Sequence, residues 1–86
     1  MRRLEHMDAR SAWKRAARDS DKSMRSVSLE MGRSENFIST TFGKKSTPKV
    51  DTFAAMLAPC GYVLAAIPKS DVPPSAIVID PAEKAE

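Results

Sequence analysis

The sequence predicts a mostly α-helical domain of four short helices, followed by a C-terminal extension of two β-strands. Apolar residues recur at helical spacing through most of residues 5–58. Capping and helix-breaking residues divide this stretch into four segments. Beyond Gly61, two short apolar runs bounded by Gly and Pro replace the helical spacing. With 86 residues, the chain is long enough for one domain at most. We therefore predict a helical domain over 1–61, a strand extension over 62–80 and a frayed tail over 81–86.

The first two helices follow from their apolar faces and their caps. Apolar residues from Leu4 to Ala17 predict a helix from about 5 to 18, with Trp13 in the core. His6, near its start, has no visible partner and is expected to be an ordinary exposed side chain. Ser23 is a good N-cap for a second helix over about 24–31.

A glycine separates the second helix from the third. Gly32 stands just past the second helix, where a left-handed backbone conformation costs glycine least. Ser34 is expected to cap a third helix over 35–42. Thr47-Pro48 opens a fourth, which carries an apolar stripe beginning at Val50 and ends near residue 58.

Two strands are predicted after the helices, at Tyr62–Ile67 and Ala76–Asp80. The Pro-rich linker between them is too long for a tight hairpin but permits an antiparallel pair. An isolated two-stranded sheet is marginal and leaves open edges. Pairing with a second copy would cover an edge, which predicts a symmetric homodimer with five apolar residues at its interface. These are Val63, Leu64, Ile67, Ile77 and Ile79.

Charge is distributed unevenly along the chain. Residues 1–49 contain twelve Lys/Arg and six Asp/Glu, whereas residues 50–86 contain two Lys and five Asp/Glu. A basic front half is typical of a polyanion-binding surface, although solvated helix faces would give the same composition. No apolar run approaches the roughly 20 residues of a membrane span, and no signal peptide is visible. Cys60 is the only cysteine, which fits a reducing compartment. We therefore expect a cytoplasmic protein.

The second and third predicted helices resemble a known DNA-binding motif. Ser28, Gly32, Ser34 and Ile38 have the spacing of a helix-turn-helix, in which the second helix is free to enter a DNA groove. Pro48 to Phe53, and then Met56-Leu57 and Gly61-Tyr62, are similar to the fourth helix of the same family. Over residues 23–62 the chain thus resembles the phage repressor and Cro family, the XRE class of transcriptional regulators. The resemblance implies a four-helix, lambda-repressor-like fold.

The resemblance also implies which residues would contact DNA. Glu35, Asn36 and Thr40 match positions that touch bases in family complexes, and Ser39 shares their exposed face. Phosphate contacts are expected from Ser34, Lys44 and Lys45 by resemblance, from the N–H groups of Ser23 and Met24 at a helix start, and from the nearby Arg25 and Arg33. Arg2 and Arg3 are candidates for an arm that reaches an adjacent groove or the DNA backbone.

These features predict a sequence-specific regulator of the phage or prophage type, a repressor that binds double-stranded DNA as a homodimer. We expect it to be associated with the nucleoid when it is bound. An antitoxin that binds its operator and a toxin is the nearest alternative. A protein-interaction module on the same scaffold, without DNA binding, is the alternative from another class. Enzymatic activity is not expected, because a single His and a single Cys offer neither a metal-ligand cluster nor a nucleophile–base pair. No catalytic residue, metal or cofactor is predicted.

Overall fold

Four helices and one small sheet make up the regular structure of residues 5–43 and 47–80, the part of the chain that this computed structural model describes. The elements in chain order are β1 (Glu5–Met7), α1 (Ala9–Asp19), α2 (Met24–Glu30), α3 (Phe37–Thr41), α4 (Val50–Leu57) and β2 (Ile77–Ile79), with single-turn 3₁₀ helices at Ala58–Cys60 and Lys69–Asp71. The prediction of a mostly α-helical fold is confirmed. The predictions made for Arg2, Arg3, Leu4, Lys44, Lys45 and the tail over 81–86 lie outside the described residues.

Helices α1 and α2 begin at side-chain caps. The carboxylate of Asp8 accepts a hydrogen bond from the backbone N–H of Ser11 at 2.9 Å. This bond, together with one from the Ser11 hydroxyl, lowers the pKa of Asp8. Ser23 caps α2 as predicted, within a reciprocal capping box: its hydroxyl accepts from the Ser26 N–H at 3.0 Å.

The core forms around Trp13, as its position on the predicted apolar face of the first helix indicates. The indole Nε1–H donates to the backbone oxygen of Met56 in α4 at 2.9 Å. The indole ring lies 6.3 Å from the ring of Phe42, tilted by 50°. Cys60 is buried as a small apolar residue, and this burial raises the pKa of its thiol. The buried core comprises Ala12, Trp13, Ala16, Ala17, Val27, Ile38, Phe42, Phe53, Met56, Leu57 and Cys60.

The sheet differs from the predicted one. Strand β2 pairs in parallel with β1, so that His6 faces Val78. The Asp80 N–H extends the pairing by donating to the Met7 oxygen at 2.9 Å. The Asp80 carboxylate also lies 2.9 Å from His6 Nδ1. The prediction that His6 has no partner is therefore wrong, because strand pairing brings together residues from the two ends of the described chain.

Two further predictions are wrong. Residues 62–67 form no strand and leave residues 77–79 to pair with β1, so the predicted antiparallel pair is absent from the described residues. A run of apolar residues becomes a strand only where another backbone edge completes its hydrogen bonds. The sequence predicts Val50 on the apolar stripe of the fourth helix, but Val50 is the first residue of α4 and is 76% exposed.

Candidate nucleic-acid interface

The turn between α2 and α3 is set by Gly32. This glycine adopts a φ of +75°, and its N–H donates to the Leu29 oxygen at 3.0 Å. The N–H of Arg33 reaches back to the Ser28 oxygen, also at 3.0 Å. These two bonds form a Schellman motif, which satisfies carbonyl groups at the end of α2 and fixes the direction in which the chain leaves it. The predicted role of Gly32 as the residue ending this helix is confirmed.

A buried hydroxyl connects the two helices. The side chain of Ser28 in α2 is fully buried, and its Oγ accepts a hydrogen bond from the Ile38 N–H in the first turn of α3 at 3.1 Å. The same hydroxyl donates to the Met24 oxygen at 2.6 Å. The sequence indicated only that residue 28 is small. Buried polar groups are almost always hydrogen-bonded, so a hydroxyl at a position that faces the core was the one feature of the sequence that could have indicated this bond.

The four predicted base-contacting residues, Glu35, Asn36, Ser39 and Thr40, are all exposed. Glu35 and Asn36 lie in the turn that leads into α3, since the helix begins at Phe37, later than predicted. The predicted cap is wrong: Asn36, not Ser34, occupies the N-cap position, and its side chain makes no capping bond. Ser34 instead contributes its backbone oxygen, which accepts from the Phe37 N–H at 3.0 Å.

The Ser23 N–H at the start of α2 is less available to an anion than predicted. The N–H of Ser23 donates to the Ser26 Oγ at 2.9 Å within the capping box, so it is not free. Met24 is half-buried and packs against the core. Met31 also packs against the core, and Met56 lies within it.

Arg33 lies against the start of α3. Its guanidinium carbon is 4.8 Å from the centre of the Phe37 ring, a distance typical of a cation–π contact. This contact holds the positive charge beside the exposed residues of the turn. Stacking leaves the in-plane N–H groups of the guanidinium able to bind other acceptors.

Arg25 and Glu35 form an ion pair across the surface of α2 and the turn. Arg25 Nε donates to Glu35 Oε1 at 2.6 Å, and the two side chains are 72% and 55% exposed. A residue predicted to contact phosphate is therefore paired with one predicted to contact a base. The two residues are ten positions apart in the sequence, and no local pattern indicated this contact.

Other cations of the basic half also face carboxylates. Arg15 contacts both Asp19 and Glu5, and these hydrogen bonds raise the pKa of its guanidinium. Lys22 Nζ lies 2.6 Å from Glu30 Oε2. The basic half therefore presents fewer uncompensated charges than its composition indicates.

The five residues predicted at a dimer interface divide into two groups. Val63 and Ile67 are exposed, by 83% and 47%. Leu64, Ile77 and Ile79 are half-buried, and of these Leu64 and Ile79 pack against the core of their own chain. The 62–67 segment borders an open apolar groove of about 900 Å³, which also involves α1, α4 and β2.

Searches against protein-family models, curated proteins and solved structures found no match for this chain. None of the helices in the described ranges combines the length and apolarity that a membrane span requires.

Proposed function

We propose that this protein is a sequence-specific double-stranded DNA-binding regulator of transcription, a repressor of the phage or prophage type with a helix-turn-helix, lambda-repressor-like fold. The observation that carries the proposal is the exposed polar surface at the start of α3, held against α2 by the buried Ser28 hydroxyl. A major groove can admit one helix, and a helix held in a fixed orientation can present its exposed side chains to the base edges.

The exposed side chains suit the chemistry of base edges. Asn36 can form a bidentate contact with adenine N6 and N7, and Thr40 can hydrogen-bond or place its methyl group on thymine. The Ser39 hydroxyl donates to the Asn36 oxygen at 3.1 Å, which leaves its lone pairs available. Binding would place these residues in the groove, while Arg33 and, by resemblance, Lys44 and Lys45 contact phosphates.

A homodimer would supply the remaining specificity. One such unit covers only a half-site of a few base pairs, and two units about one helical turn apart read a full operator. The exposed Val63 and Ile67, beside the apolar groove, support an interface in this region, because exposed apolar patches mark interaction sites. A dimer bound in the cytoplasm over a promoter would repress by steric occlusion.

The proposal is tested by selecting bound molecules from random duplexes, followed by binding titrations on the selected sequence. We expect a palindromic consensus and an affinity that falls steeply with salt, because phosphate contacts release counterions. Asn36→Ala should weaken preference at one position of each half-site by roughly 5- to 150-fold. Ser70→Ala, which changes an exposed polar residue outside the basic half, is the control and should leave preference unchanged. Binding without any sequence preference would refute the proposal.

The apolar groove favours a second candidate, a module that binds a protein partner, including an antitoxin that binds a toxin. Apolar contacts respond little to salt, so a salt-insensitive complex with a second protein would favour this function. An antitoxin would show both behaviours, with DNA binding and a co-purifying small protein.

A further inference from the structure

The Arg25–Glu35 pair is the most specific arrangement of polar groups on the exposed surface of α2 and the turn. Arg25 is near the start of α2, and Glu35 lies directly before Asn36 in the turn that leads into α3. The bond between them joins Nε of the guanidinium to one carboxylate oxygen, Oε1, at 2.6 Å. The pair therefore has a defined orientation, which a free arginine on the same surface would not have.

In this orientation, the pair keeps hydrogen-bond donors on Arg25 and an acceptor on Glu35 that a ligand can contact. A guanidinium has five N–H donors in one plane. The bond to Glu35 uses the Nε donor, so the two Nη groups at the end of the guanidinium can still donate to a ligand. The second oxygen of the Glu35 carboxylate, Oε2, keeps its capacity to accept a hydrogen bond. Two parallel donors thus lie close to one acceptor, on a surface that is 72% exposed at Arg25 and 55% exposed at Glu35.

In the major groove, one base pair matches this pattern. Guanine presents two adjacent acceptors, O6 and N7, and its partner cytosine presents the N4–H donor beside them. An A·T pair alternates acceptor, donor and acceptor, and so offers no pair of adjacent acceptors to a planar fork. The donors of Arg25 match guanine, and the free oxygen of Glu35 matches cytosine.

We propose that Arg25 and Glu35 act together to read one G·C base pair in each half-site, an inference that rests on the proposed DNA-binding function. Arg25 is the specificity-determining contact with guanine, and Glu35 both orients it and accepts from cytosine. Because the pair is neutral overall, it attracts phosphate weakly. Pairing also offsets the repulsion between the Glu35 carboxylate and nearby phosphates, which favours a base edge over the DNA backbone as the ligand.

The test compares duplex selections by the wild type, Arg25→Ala and Glu35→Gln, with Arg18→Ala as a matched control. Arg18 is a 75%-exposed arginine in α1, so the control removes the same charge away from the pair. We expect the wild type to require one G·C pair per half-site, and its replacement by A·T to weaken binding roughly 5- to 150-fold. Arg25→Ala should lose preference at that position alone, while Arg18→Ala should keep it.

Two further measurements separate base reading from general electrostatics. Substituting 7-deazaguanine at the selected position removes the N7 acceptor, which should weaken binding by the wild type but not by Arg25→Ala. Glu35→Gln removes one negative charge, so it should bind non-specific duplexes more tightly than the wild type while its G·C preference falls. General electrostatics alone would raise the affinity of Glu35→Gln for every duplex and leave its G·C preference unchanged, so the fall in preference is the result that indicates base reading.

The possible results distinguish a failure of base reading by the Arg25–Glu35 pair from a failure of the proposed DNA-binding function. If the wild type selects a sequence but Arg25→Ala keeps every preference, or loses affinity equally for all sequences, base reading by the pair is refuted while DNA recognition stands. If the wild type binds no duplex selectively, both this inference and the proposed function are overturned.

Discussion

The stability of the turn between α2 and α3 should depend on the absence of a side chain at Gly32. Its φ of +75° lies in the left-handed region, and a Cβ built at this position meets no heavy atom within 4 Å. Gly32→Ala would therefore add no steric overlap with neighbouring groups. Its cost is the backbone conformation alone, about 1–2 kcal/mol for an L-residue in the left-handed region.

A second glycine provides the control for this substitution. A Cβ at Gly43 also meets nothing within 4 Å, but the φ of Gly43 is not positive. Both substitutions reduce the entropy of the unfolded chain, which favours folding by about 0.4–1 kcal/mol in each. The difference in unfolding free energy between Gly32→Ala and Gly43→Ala therefore isolates the cost of the left-handed turn.

Urea unfolding followed by circular dichroism measures this difference. We expect Gly32→Ala to be less stable than Gly43→Ala by about 1–2 kcal/mol, or roughly 4–16 °C in melting temperature for a domain of this size. Equal stabilities for the two variants would refute the reasoning, because the Schellman turn would then impose no left-handed requirement.

The environments of Ser28, Asp8 and Cys60 each predict a measurable effect. Ser28→Ala should lower the unfolding free energy by about 1–3 kcal/mol in urea titrations, because the Ile38 N–H would lose its buried acceptor; an unchanged midpoint would contradict this. The lowered pKa of Asp8 means that its carboxylate contributes stability above the unfolded pKa of about 3.9, and that this contribution is lost as the pH falls through the folded pKa. Asp8→Asn should therefore flatten the fall in stability below about pH 4, whereas a curve of unchanged slope would count against the cap. Cys60 is buried and its thiol pKa is raised, so alkylation by iodoacetamide at pH 8 should be at least about tenfold slower in the folded chain than in urea. Equal alkylation rates would show that the thiol is accessible.

The helices were predictable because their causes are local. The apolar face that contains Trp13, the Ser23 cap and the Gly32 stop each act within a few residues, and each is confirmed. The predicted start of α3 is two residues too early, because Ser34 and Asn36 are both good capping residues. Their relative merit depends on the preceding turn, which the sequence does not specify.

The sheet was not predictable because its causes are distant. Residues 62–67 have the composition of a strand, yet Ile77–Ile79 pairs with Glu5–Met7, which the sequence pattern assigned to the first helix. Parallel pairing can join segments from the two ends of a chain, and local patterns carry no information about it. The His6–Asp80 contact follows from that pairing and was missed for the same reason.

The composition of the basic half also overstates the positive charge that is free to contact phosphate. Twelve Lys/Arg in residues 1–49 indicated a strongly basic surface, but Arg15, Lys22 and Arg25 each face a carboxylate of the same half. A paired cation neutralises a phosphate only by giving up its partner, so it contributes less to the salt dependence of binding than its formal charge suggests. An oriented pair can still present donors and an acceptor to a base edge. The pairing therefore shifts the expected contribution of Arg25 from affinity for any duplex to discrimination between duplexes.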